Sequence, residues 1–404
     1  MALETNKPSF GVLDDVKVVY AAVELAAPKA CDLMADWGAD DTWLENTGAG
    51  DTIRGTAYVK QAERRNQRSV SMNYFSDEGK EILFKMLADA DVFIEASKGG
   101  TWARKGITDE VLWEINPKLV IVHLSGFGQS GDPKMVKRAA YDLTVMAYSG
   151  YMSQNGTQEQ PMNPGPYAGD YFNSLMIVSS TLAALHKANR TGKGESIDLA
   201  MYETLLAIGQ YYLVDYLNEG ILWPRPGARN QNLCGIGEYK CNDGFLGVCL
   251  YGVDQNKYFL ETIGLGHLWG TEDIPEDTSG LWLANPHAAE IEAAFEAYCL
   301  EHSKYEIEAD FAAHRIAAQV VMEFEDLVKE EHLKLREDFM DWETEDGKTF
   351  KGLGVFPKFQ QTPGQVWRPM PKQGGDTADV LTKLGYTADQ IAALNESGVV
   401  KVAE

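Results

Sequence analysis

The sequence predicts a mixed α/β protein, with a large open-sheet domain followed by a smaller α+β domain. Three observations carry this. Through roughly the first half of the chain, short apolar runs alternate with segments of helical periodicity, as strands do when crossover helices join them. Trp223-Pro224-Arg225-Pro226-Gly227 then interrupts the pattern as a linker would. Beyond it, Asn242-Asp243-Gly244 and Asp346-Gly347 lie between apolar runs and signal hairpins.

Taken in order, residues 16–23 form the first buried strand. A helix follows over 27–37, with Pro28 in its first turn, and Gly38 closes it. Strands are predicted at 41–45 and 68–73, then a helix over 76–90 with Ser76 as an imperfect cap, since Gly79 stands where Glu would complete the box. Strands at 92–95 and 119–124, a long apolar helix over 170–188, a strand at 195–200 and a helix over 202–217 complete the large domain. Further helices are expected at 255–263, 288–301, 304–314, 377–384 and 387–397. The expected bounds are 1–224 for the large domain, 225–335 for the small one, and 336–404 for a C-terminal return to the first. The large domain is Rossmann-like. Glu24-Leu25-Ala26-Ala27-Pro28 follows its first strand, however, so the glycines that admit a dinucleotide pyrophosphate are missing.

A net charge of −24 argues against nucleic acid and anionic membranes, whose phosphates it repels. The longest apolar stretches are too short or too broken to span a bilayer, and the N-terminus has no signal-peptide core. Five widely spaced cysteines, Cys31, Cys234, Cys241, Cys249 and Cys299, suit a reducing compartment better than a disulfide framework or a zinc site. A cytoplasmic protein without a bound metal is the expectation.

Two features invite chemistry. Pro164-Gly165-Pro166-Tyr167-Ala168-Gly169-Asp170 is a stiffened loop that brings Asp170 to the mouth of an apolar helix. Asp there is an ordinary N-cap. The same place also suits a carboxylate kept ionised by helix N–H groups. Lys98, Arg104 and Lys105 follow a strand end, where open α/β sheets bind ligands, and with Arg64, Arg65 and Arg68 they form a basic patch or an ordinary solvated face. His123 lies in an apolar strand and reads as a satisfied core histidine, and no G-x-S-x-G elbow supports a serine triad.

The chain resembles the class III CoA-transferases (CaiB/BaiF family) from end to end. The resemblance rests on Glu24–Pro28 with Trp37-Gly38-Ala39, Arg68-Ser69-Val70, Ser125-Gly126-Phe127-Gly128-Gln129, Tyr167–Tyr171, and Arg190-Thr191-Gly192-Lys193-Gly194-Glu195. Glu95-Ala96-Ser97-Lys98-Gly99, Pro357-Lys358-Phe359 and Pro363–Arg368 are similar to the L-carnitine CoA-transferase subgroup. The resemblance implies an interlocked homodimer and a CoA-binding large domain. It implies Asp170 as nucleophile, and CoA contacts from Lys98 with Arg104 or Lys105. It also implies CoA and acyl-CoA as substrates, betaine acids as partners, and no tightly bound cofactor. Lys105 replaces an Arg of that subgroup, exchanging a fork for a point charge. A racemase on the same fold needs a His where this chain has Tyr141; a non-catalytic CoA-binding protein would have no use for the intact Asp170 loop.

Overall fold

The computed structural model describes residues 7–403. It divides into two compact units. The first comprises the chain up to Ser149, Gly165–Ile208, and everything from His332 onward; the second comprises Gly150–Pro164 and Gly209–Glu331.

The strands of the first unit are β1 (Lys17–Ala21), β2 (Asp40–Glu45), β3 (Arg68–Met72), β4 (Val92–Ala96), β5 (Val120–Ser125) and β6 (Ser196–Ala200). In the second lie β7 (Ile236–Cys241), β8 (Gly244–Cys249) and β9 (Ala317–Val320). The chain then returns to the first unit with β10 (Phe339–Glu343), β11 (Thr349–Leu353) and β12 (Val400–Lys401). The main sheet has the order β12-β3-β2-β1-β4-β5-β6, parallel except for β12, which pairs antiparallel with β3 at the edge. The chain winds one way from β1 to β3 and the other way from β4 to β6. The crevice between the carboxyl ends of β1 and β4 is therefore the topological switch point, where such sheets take their ligands.

Burial on both faces explains the near-continuous apolar strands. Val19, Ala21, Leu44, Val70, Phe93 and Ile121 pack into one core cluster with Ile82, Leu83, Met86 and Leu87 of the Asp77–Leu87 helix. Ser76 does cap that helix, accepting the Gly79 N–H at 3.1 Å. At the entry to β6 only glycine fits: a Cβ on Gly194 would stand 1.9 Å from the Leu119 carbonyl oxygen.

The second unit places the three-stranded antiparallel sheet β7-β8-β9 against the helices Val253–Thr262, Ala288–Glu301 and Lys304–Ala313. β10 and β11 pair antiparallel around Asp346-Gly347, as their turn residues predict.

The structure differs from the sequence expectation at several joints. The single helix expected over 202–217 is two, Met201–Ile208 and Gln210–Glu219, broken at Gly209 where the chain leaves the first unit. Residues 150–164, expected within the large domain, belong to the second unit. The Thr157 carbonyl accepts Arg225 Nε at 2.6 Å and the Gly156 carbonyl accepts the Gly227 N–H at 2.9 Å. Strands β9 and β12 were not anticipated, being too short to show a period. No helix among the described residues is long and apolar enough to cross a membrane.

Candidate active site

At the switch point lies a cavity of about 250 Å³, lined by segments that follow β1, β4 and β5, with Glu24, Lys98, Arg138, Tyr141 and Asp170 on its walls. All of them belong to the first unit.

Asp170 is the third residue of the Ala168–Thr191 helix, not its N-cap. Tyr167 occupies the cap in a left-handed conformation (φ 54°), and no side chain caps that end. The Asp170 carboxylate is thereby left to face the cavity. Its backbone N–H, one of the helix's unpaired donors, is taken by Asp142 Oδ1 at 3.1 Å. Gly169 lets the two segments meet, since a Cβ there would stand 2.9 Å from Asp142 Oδ1 and 3.1 Å from Met146 Sδ. Ser174 Oγ donates to the Ala26 carbonyl at 2.6 Å, which ties this helix to the Ala26–Asp36 helix after β1. Burial, reinforced by the nearby Asp142 and Glu24 carboxylates, pushes the Asp170 carboxyl up to about 7.

Glu24 also adopts a left-handed backbone, at φ 63°. Its N–H donates to Asp51, at 3.1 Å and 3.2 Å from the two carboxylate oxygens, and its carbonyl accepts from Arg64. Arg64 is fully buried, pairs with Asp51 at 2.9 Å, and lies 4.9 Å from the Trp43 ring centre. Arg65 pairs with Asp36 at 2.6 Å and Arg68 with Asp40 at 3.1 Å. These three arginines are therefore interior ion pairs; the expected surface patch does not include them.

The structure brings Lys98 and Asp170 to one cavity. Arg104 and Lys105 are not among its lining residues. Arg104 braces its own loop, donating to the Gly99 carbonyl and to Thr101 Oγ1, each at 3.1 Å, while the Lys105 ammonium lies 5.6 Å from the Phe75 ring centre. Sequence reasoning missed Glu24, Arg138 and Asp142. Glu24 stands in a loop without glycines and in a block that carries the family resemblance, neither of which marks its carboxylate, and nothing local marks the other two.

His123, on β5, is satisfied by two carboxylates: Glu95 Oε1 at 2.8 Å from Nδ1 and Asp109 Oδ1 at 2.8 Å from Nε2. Burial opposes its charged form, but the hydrogen bonds to Asp109 and Glu95 outweigh it and hold the imidazole up to about 9. No group of three or more metal-ligating side chains occurs among the described residues.

The sequence model of CoA-transferase family III matches residues 13–377. Among solved structures, the chain is similar to a CAIB/BAIF family protein from Brucella suis at 25% identity and a TM-score of 0.77, over 93% of this chain and 100% of that one. It is also similar in fold to a mutant of Rv3272 from Mycobacterium tuberculosis, at 21% identity and a TM-score of 0.79, over 93% of this chain and 98% of that one. With the family match running through β1, the Lys98 loop and the Asp170 helix alike, the chain belongs to CoA-transferase family III and is a CoA-transferase acting on CoA thioesters.

Proposed function

We propose that the protein exchanges CoA between betaine acids, from crotonobetainyl-CoA or γ-butyrobetainyl-CoA to L-carnitine, through a covalent intermediate on Asp170. The observation that carries this reading is a partly buried, uncapped carboxylate opening into the same switch-point cavity as Lys98.

The Asp170 carboxylate attacks the thioester carbonyl; the C–S bond breaks, leaving a mixed anhydride and CoA thiolate. The thiolate attacks the Asp170 carbonyl carbon and expels the donor acid as its carboxylate, giving an aspartyl-CoA thioester. The acceptor carboxylate then runs the sequence in reverse. Covalent catalysis conserves the thioester energy in easier steps. Oxidation state does not change, so the reading includes no tightly bound cofactor. Lys98 supplies charge for a CoA phosphate, with Arg138 as a second cation on the cavity wall; Arg104 or Lys105 serves the parts of CoA outside it. Glu24 on the cavity wall and Asp142 near Asp170 supply negative charge that suits a trimethylammonium acid. The racemase reading loses ground because Tyr141 lines the cavity and His123 is spent on two carboxylates.

An acceptor panel with one acyl-CoA donor tests the substrate class. Carnitine and γ-butyrobetaine are expected to exceed a neutral tert-butyl isostere by about tenfold in kcat/KM. Preference for oxalate or a 2-hydroxy acid would retain the transferase and reject the betaines. In the same assay Lys98→Glu is expected to raise KM for acyl-CoA by about tenfold or more, and an unchanged KM would return Lys98 to the solvent.

A homodimer belongs to the same proposal. Leu222, Phe324 and Leu335 are 80%, 85% and 75% exposed in the single chain, apolar side chains that a partner chain would cover. Sedimentation at nanomolar concentration is expected to show a dimer, and a species of monomer mass would contradict it. Four of the five cysteines are buried and all are free, which supports a reducing cytoplasm.

A further inference from the structure

We infer that His123 is a positioning residue for CoA binding, acting through Glu95 and Ser97 to hold the Lys98 loop at the cavity. The inference rests on the reading that Lys98 contacts CoA. Glu95 sits at the carboxyl end of β4, directly opposite His123 in the β4–β5 register, and is 2% exposed. A charge so deep is costly unless a cation stands beside it. His123 provides that cation on Oε1 at 2.8 Å, and is itself held from the far side by Asp109 at 2.8 Å, at the start of the Asp109–Ile115 helix. The other oxygen, Oε2, accepts the Ser97 hydroxyl at 2.5 Å. Ser97 also donates its N–H to the Leu124 carbonyl of β5 at 3.2 Å. Both ends of the Glu95 carboxylate are thus committed, one to the core and one to the first residue of the loop that carries Lys98.

Removing the imidazolium changes this balance. Glu95 is left buried without its cation, and the ammonium nearest in sequence is that of Lys98, three residues on. An electrostatic pull toward Glu95 would draw Lys98 from the cavity where a CoA phosphate would meet it. With His123 in place, the Glu95 charge is balanced from within and Lys98 stays available to the ligand.

The test is a double-mutant cycle on CoA binding, read by calorimetry, with kcat at saturating acyl-CoA measured alongside. His123→Gln is expected to weaken CoA about tenfold while changing kcat by less than about twofold. In a Lys98→Ala background it should weaken CoA no further, because the loop then carries no charge to misplace. A purely structural His123 would lower stability while leaving the dissociation constant alone, or would add its full effect in the double variant; either result overturns the inference. If Lys98→Ala binds CoA as tightly as the wild type, the Lys98 contact fails and this inference falls with it. If Lys98→Ala weakens binding and His123→Gln does not, only this inference falls. Should His123→Gln not fold, Ser97→Ala decides. It leaves the Glu95–His123–Asp109 contacts intact, is expected to weaken CoA about threefold, and must lose that effect when Lys98 is Ala. No change in Ser97→Ala would sink the proposal.

Discussion

Asp170→Asn is expected to lower CoA transfer by about 10³-fold or more, because it removes the group that forms the intermediate and leaves only binding and orientation. Hydroxylamine added to wild-type protein with acyl-CoA should leave a hydroxamate on Asp170, located by mass spectrometry, and none on the variant. Label on another residue, or transfer near the native rate, would reject the mechanism. The pH dependence follows from the same carboxyl. Burial and the Asp142 and Glu24 charges push it up to about 7, and only the ionised form attacks. The acyl-CoA kcat/KM should therefore fall about tenfold per pH unit below that value.

The elevated carboxyl also carries a stability cost with a definite sign. The folded protein holds the Asp170 proton more tightly than the unfolded chain does, so raising the pH from about 4 to 7 works against the folded state. Asp170→Asn removes this cost. The variant should be more stable than the wild type by about 2–4 kcal/mol at pH 8, at roughly 1.4 kcal/mol for each tenfold change in proton affinity, with the gain vanishing near pH 4. Urea unfolding at the two pH values measures it. An equal difference at both would show that the carboxylate is not strained by its surroundings.

Arg64→Met is the second large effect. Arg64 is fully buried, pairs with a buried Asp51 and donates to the Glu24 carbonyl. Breaking such a pair strands a charge in the interior, and a loss of about 3–5 kcal/mol in unfolding free energy is expected. The double variant Arg64→Met, Asp51→Asn should recover part of it, because no lone charge is then left behind. Transfer should fall as well, since Arg64 and Asp51 together hold Glu24 in a backbone conformation that a non-glycine residue adopts at a cost of about 1–2 kcal/mol. A loss below about 1 kcal/mol would mean that the surrounding core accommodates the unpaired carboxylate.

The contrast between Arg64 and Asp170 shows where sequence reading reached its limit. The Asp170 loop announces itself locally: prolines, a glycine and a carboxylate at the start of an apolar helix need no distant partner to be noticed. Arg64, Arg65 and Arg68 look like a solvated cluster because their partners Asp51, Asp36 and Asp40 lie on other segments. Nothing in a run of three arginines indicates that β2, the Ala26–Asp36 helix and the loop after β2 will each bring a carboxylate. His123 was legible as a satisfied core residue from its apolar strand, but the carboxylates that satisfy it depend on the β4–β5 register and on the Asp109 helix folding beside them.

Apolar periodicity determined the strand–helix alternation, and with it the parallel sheet, because each strand's side chains must be buried by the helices that flank it. The hairpin turns were equally local, set by residues that tolerate the required backbone angles. Only the tertiary structure decided that β1 and β4 lie side by side with the chain reversing between them, and so where the crevice opens. It alone decided that Glu24, Lys98, Arg138 and Asp170, from four separate stretches of chain, share one cavity. The physical reason is range: backbone preferences and burial periods act over a few residues, whereas a binding site is made by charges and close approaches between segments that meet only after the sheet has ordered them.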